Sequence, residues 1–83
     1  MYEYYFTFLS VTMAQRGLEA LLNRGIYAEL IRTPRRMASA GCGYALKVRS
    51  GDGFVAAAVL KYSSKPVKTI RIFPDGNSEV VNL

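Results

Sequence analysis

The chain holds one cysteine, Cys42, set between glycines in Ser39-Ala40-Gly41-Cys42-Gly43-Tyr44. Glycine has no side chain to shield a neighbouring sulfur, and it lets the backbone take positive φ and come close to another group. Arg32, Arg35 and Arg36 stand within the ten residues before the cysteine, and Lys47 and Arg49 follow it. No acid falls between residues 32 and 49. Nearby positive charge favours the thiolate, the nucleophilic form, over the thiol. These residue types point to thiol chemistry at Cys42, with Arg35 and Arg36 available to stabilise an anion through charge-assisted hydrogen bonds.

Other chemistries are excluded by residues the chain lacks. It has no histidine, the commonest general base and metal ligand. A single cysteine without histidine cannot make a zinc site of the usual kinds, so neither metal nor cofactor is expected. Ser-His-Asp and Cys-His catalysis are ruled out on the same ground. There is no phosphate-binding GxxxxGK loop and no GxGxxG, and the lone Gly41-Cys42-Gly43 reads as loop geometry rather than a phosphate cradle. One cysteine cannot form an internal disulfide, which favours a reducing cytoplasm. No signal-peptide pattern is present, and no apolar run approaches the roughly 20 residues of a membrane span. The net charge of +5 favours an anionic partner, with simple solubility as the plain alternative.

The cysteine has to be held by a small set of elements. Eighty-three residues, 51% hydrophobic and 20% charged, make one domain with a thin core. The core is expected over about residues 2–73, and residues 74–83 are expected to form a turn and either an extra strand or a tail. Tyr2 to Leu9, rich in Tyr and Phe, reads as a strand. Thr12 and Gln15 fit a capping box. Ala14, Leu18, Leu21 and Leu22 then recur at helical spacing, and Gly25 stops the helix with Ile26 folding back. Gly17 in mid-helix implies a close helix-sheet contact.

Tyr27 to Thr33 reads as a second strand ended by Pro34, and Arg35 to Gly41 as a loop. Tyr44 to Arg49 alternates, with Tyr44, Leu46 and Val48 toward the core. Asp52 is an expected N-cap for a helix in which Val55, Ala58, Val59 and Tyr62 are spaced i, i+3, i+4, i+7. Val67 to Phe73 is a further strand, with Lys65, Lys68 and Arg71 as a solvated edge. The order β-α-β-β-α-β predicts an α+β, ferredoxin-like sandwich with both helices on one face of an antiparallel sheet. Cys42 then lies where the second strand connects to the third.

Thr33-Pro34-Arg35, Ser39, Cys42-Gly43 and Ala45-Leu46, together with Phe8-Leu9-Ser10 at the end of the first strand, resemble a small bacterial family described as putative selenium/sulfur carrier protein-like. The resemblance spans residues 4 to about 73. It implies a non-catalytic carrier that holds sulfur or selenium on Cys42 as a persulfide or selenosulfide. Thr33, Pro34, Arg35, Ser39 and Gly43 are the motif neighbours, and Arg36 and Gly41 share the loop. It implies partners: a desulfurase-type donor enzyme that loads the thiol and an acceptor enzyme that empties it.

The residues leave two alternatives open. One is a basic module binding an acidic protein or nucleic acid. Against nucleic acid stands the absence of the RNP1 pattern from the strand Tyr44 to Arg49, although Tyr2, Tyr4, Tyr5, Phe6 and Phe8 are of the types that stack bases. The other is a thiol redox sensor working through an intermolecular disulfide or sulfenic acid. The uncovered sheet face is also a candidate homodimer surface.

Overall fold

The computed structural model of the chain describes residues 3–35 and 43–82; Arg36, Ser39, Gly41 and Cys42 lie outside the described residues. Strand β1 (Glu3–Phe8) is followed by helix α1 (Val11–Asn23), strands β2 (Ala28–Arg32) and β3 (Tyr44–Arg49), helix α2 (Gly53–Ser63), and strands β4 (Lys68–Ile72) and β5 (Ser78–Val81). The architecture is α+β, as the sequence predicts. The five strands form one sheet in the order β2-β3-β1-β4-β5, and each neighbouring pair is antiparallel. Val80 and Val81, left open between strand and tail, belong to β5, which pairs with β4.

The aromatic first strand becomes the middle of the sheet because its alternation buries one row. Tyr4, Phe6 and Phe8 point toward the helices, beside Leu46 and Val48 of β3. Ala14 and Leu21 of α1 and Ala56 and Leu60 of α2 complete this core. Thr7, Ala45 and Ile70 lie in the opposite row by the same registers, with Tyr5, Lys47 and Glu29.

Gly17 shows why α1 sits so close. A Cβ there would come within 2.9 Å of Leu60 Cδ2, 3.1 Å of Leu46 Cδ1 and 3.3 Å of Phe8 Cζ. The expected helix-sheet contact is therefore present, and α2 shares in it. Gly25 ends α1 with φ +75°, in the region glycine favours. Its N–H donates to the Leu22 carbonyl, and the N–H of Ile26 donates to that of Leu21, each at 3.0 Å. These two bonds make a Schellman stop, and Ile26 and Leu21 meet in the core.

Four local expectations need correction. Ser10, not Thr12, caps α1, its Oγ accepting from the Met13 N–H at 3.2 Å. Asp52 stands at the N-cap of α2 but makes no side-chain capping bond. The buried stripe of α2 is Gly53, Ala56 and Leu60, so Val55, Ala58 and Tyr62 are exposed. Small residues win that position because α2 presses on Tyr4: a Cβ on Gly53 would fall 2.3 Å from its ring. Arg71 is not a solvated edge residue. It is half-buried, pairs with Glu79 at 3.0 Å and lies over the Tyr4 ring at 5.7 Å.

Candidate functional site

β2 and β3 are consecutive and antiparallel, so their connection leaves the sheet at one end. Arg32 pairs with Tyr44 in register, and its guanidinium lies 5.5 Å from the centre of the Tyr44 ring. One residue further out, the Thr33 N–H donates to the Gly43 carbonyl at 3.0 Å and closes the base of the connection. Thr33 is buried at 8% exposure, and its Oγ1 has no hydrogen-bond partner among the described residues. Pro34 is half-buried and Arg35 exposed. Thr33, Pro34, Arg35 and Gly43 thus stand together at this base; the remaining predicted residues, Arg36, Ser39, Gly41 and Cys42, lie outside the described residues.

Gly43 differs from expectation in one respect. Its φ is not positive, and a Cβ built on it would meet nothing within 4 Å among the described residues.

The register also sorts the basic residues. Lys47 lies about 13 Å and Arg49 about 20 Å along the strand from Gly43. Lys47 is held by Glu3 at 3.4 Å, and that hydrogen bond and charge raise its pKa above the ordinary lysine range. Arg49 stacks over Tyr27 at 5.6 Å. Both lie away from the connection, whereas Arg32 and Arg35 stand at its base.

The acids are distributed in the opposite sense. Glu3 is opposite Arg49 and Ile72, Glu29 opposite Lys47, and Glu79 opposite Arg71. Asp52 follows β3, Asp75 sits in the β4–β5 turn, and Glu19 is in the later half of α1. All six acids are therefore away from the end where β1 finishes at Phe8, β2 finishes at Arg32 and β3 begins at Tyr44. That end holds Arg32, Arg35, Lys65 and Lys68, and α1 begins there at Ser10 with the positive end of its dipole. Charges separated by more than roughly 8–10 Å of solvent are largely screened, so an anion at this end would meet cations and no acid. The sequence shows the local run of arginines. The clearing of acids from one end depends on strand register, which composition does not carry.

β1 and β3 offer little to stack a nucleic acid base. Among their described residues, Tyr5 is the only ring on the face away from the helices, since Tyr4, Phe6 and Phe8 are buried in the core. Among the described residues no group of three or more histidine, cysteine or acidic side chains comes together to hold a metal, and no helix is long and apolar enough to cross a membrane.

A family model described as putative Se/S carrier protein-like matches residues 3–72. No curated protein and no solved structure gave a match.

Proposed function

The chain belongs to the putative Se/S carrier protein-like family, and we propose that it carries sulfur or selenium on Cys42. The observation that carries this reading is the family match itself, which runs from residue 3 to residue 72 and so includes the chain's one cysteine. The electrostatics of the strand ends support it. Arg32 and Arg35, with no acid nearby, favour a bound anion, and a thiolate and a persulfide are both anions.

The transfer needs no oxidant. The Cys42 thiolate attacks the outer sulfur of a donor enzyme's persulfide. A new S–S bond forms at Cys42, the donor's own S–S bond breaks, and its electron pair leaves with the donor as thiolate. An acceptor thiolate then takes the outer sulfur in the same manner and returns Cys42 to its starting form. Selenium follows the same course through a selenosulfide. No second cysteine is available to resolve the loaded form into an internal disulfide. General acid–base work falls to the donor and acceptor enzymes, consistent with a carrier that does not turn over substrate alone. The reading also requires a reducing compartment such as the cytoplasm, where free thiols persist.

The test is intact-mass measurement after incubation of the reduced protein with inorganic polysulfide. The native protein should gain the mass of one sulfur atom, lose it on reduction, and pass it to a small thiol acceptor. Cys42→Ser should remain folded and gain nothing. A native protein that stays unloaded, or a variant that loads equally well, would overturn the proposal.

A further inference from the structure

Helix α2 is apolar on both sides. Gly53, Ala56 and Leu60 face the core, while Phe54 is 71%, Val55 56% and Tyr62 88% exposed, with Ala58 exposed between them. Lys61 is the one charge on this outer face. A helix that is hydrophobic all round is normally covered all round. The stripe Val55, Ala58, Tyr62 therefore has the composition of an interface without a partner.

We propose that a second copy of this chain covers it, with α2 packing antiparallel against its counterpart across a two-fold axis at Ala58. The pattern is complementary to itself. Alanine at the centre lets two helix axes approach to about 8 Å, the close end of the usual range. Val55 lies three residues before that point and Tyr62 four residues after it. Reversing the second helix about Ala58 sets Tyr62 of each copy against Val55 of the other, because residues at these spacings share a face. The same reversal brings Lys61 of each copy over the exposed Phe54 ring of the other, a cation–π contact.

Charge selects the antiparallel arrangement. Asp52 stands at the start of α2, and Lys61 and Lys65 at its end. Antiparallel packing joins the acidic end of one helix to the basic end of the other, and it also opposes the helix dipoles. Parallel packing would set like against like. The sheet face opposite the helices is less suited to self-association, because it carries the Glu3–Lys47 pair and Glu29. One side of a three-turn helix offers less than the roughly 800 Å² per partner of a standard interface, so this dimer dissociates on dilution. Since α2 ends at the same end of the sheet as the Thr33–Gly43 pair, the two copies of that pair lie at opposite ends of the dimer. The proposal is independent of what Cys42 carries.

Sedimentation of the full chain in reducing buffer, over about a hundredfold dilution range, reads the association constant. A monomer–dimer equilibrium is expected, weakened more than about tenfold by Ala58→Glu, with circular dichroism confirming that the variant is folded. In a Cys42→Ser background, Ala58→Cys should cross-link to a covalent dimer on mild oxidation, because each position 58 meets its own counterpart. Glu19→Cys, on the polar side of α1, should not. A protein that stays monomeric throughout, a dimer that Ala58→Glu leaves intact, or equal cross-linking through positions 58 and 19 would each overturn the inference. Monomeric protein that still loads sulfur would reject the dimer and leave the carrier reading standing.

Discussion

Replacing Thr33 with valine should make the protein more stable, although it alters a motif residue at the base of the candidate site. Thr33 is 8% exposed and its Oγ1 has no partner among the described residues. A buried polar group left unsatisfied costs about 1–3 kcal/mol. Valine keeps the shape, the β-branch and the backbone N–H that bonds to the Gly43 carbonyl. Thr33→Val should therefore gain about 1 kcal/mol, the lower end of that range, because the hydroxyl recovers part of its cost through local relaxation. A chain of this length has a total stability of only about 4–12 kcal/mol, and about 1 kcal/mol moves Tm upward by roughly 4–8 °C. Thermal and urea unfolding followed by circular dichroism would measure the change. A loss of stability above about 0.5 kcal/mol would refute the reasoning, since it would mean the hydroxyl is satisfied in the native protein. Polysulfide loading of the same variant adds a second reading. Slower loading in a stabilised protein would assign the hydroxyl to the site, because destabilising groups are retained where function needs them.

Three further outcomes follow from the geometry. Gly53→Ala should cost about 3 kcal/mol in urea unfolding, because its Cβ would sit 2.3 Å from the buried Tyr4 ring. Pairing it with Tyr4→Leu should recover part of that loss, and additive effects would show that the two residues do not meet. Arg32→Gln with Arg35→Gln should slow alkylation of Cys42 near neutral pH several-fold and reduce its salt dependence; an unchanged rate would remove both arginines from the account of the site. Lys47→Gln should cost less than about 0.5 kcal/mol, since both partners of the Glu3 pair are more than a third exposed to water. The raised Lys47 pKa means this contribution is fully present below the unfolded lysine value near 10.4 and is lost as pH rises through the higher folded value. A pair whose effect persists unchanged above that range would contradict the assignment.

The elements that could be read from the sequence were those with a single hydrophobic row. β1 is rich in aromatic residues, and α1 has one apolar side and a glycine stop, so the strand, the helix and the helix's end followed from residue type and spacing. α2 was legible as a helix but not in its orientation. Its apolar residues occupy every side, and two of the three buried residues, Gly53 and Ala56, rank as weakly hydrophobic or not at all. Gly53 is buried because it is small enough to let the helix reach Tyr4. Arg71 was misplaced for a related reason: its environment is made by Tyr4 and by Glu79 on β5, and neither pairing is local in sequence. At the candidate site, Thr33-Pro34-Arg35 and Gly43 could be marked in advance. The cross-strand stacking of Arg32 on Tyr44 required the β2–β3 register.

The position of β1 has a consequence for how the chain acquires its fold during synthesis. β2 with β3, and β4 with β5, are hairpins whose partners emerge from the ribosome one after the other. β1 has no such partner, because both its neighbours, β3 and β4, come later and the second is complete only at Ile72. The segment Tyr4-Tyr5-Phe6-Thr7-Phe8 is therefore translated before either neighbour and remains an unpaired aromatic strand until β3 is complete at Arg49, with its second edge open until Ile72. Distant pairings of this kind slow folding, and an exposed apolar strand is the form in which nascent chains aggregate. The central strand is thus made before either of its neighbours, and a nascent-chain chaperone would find its binding segment there.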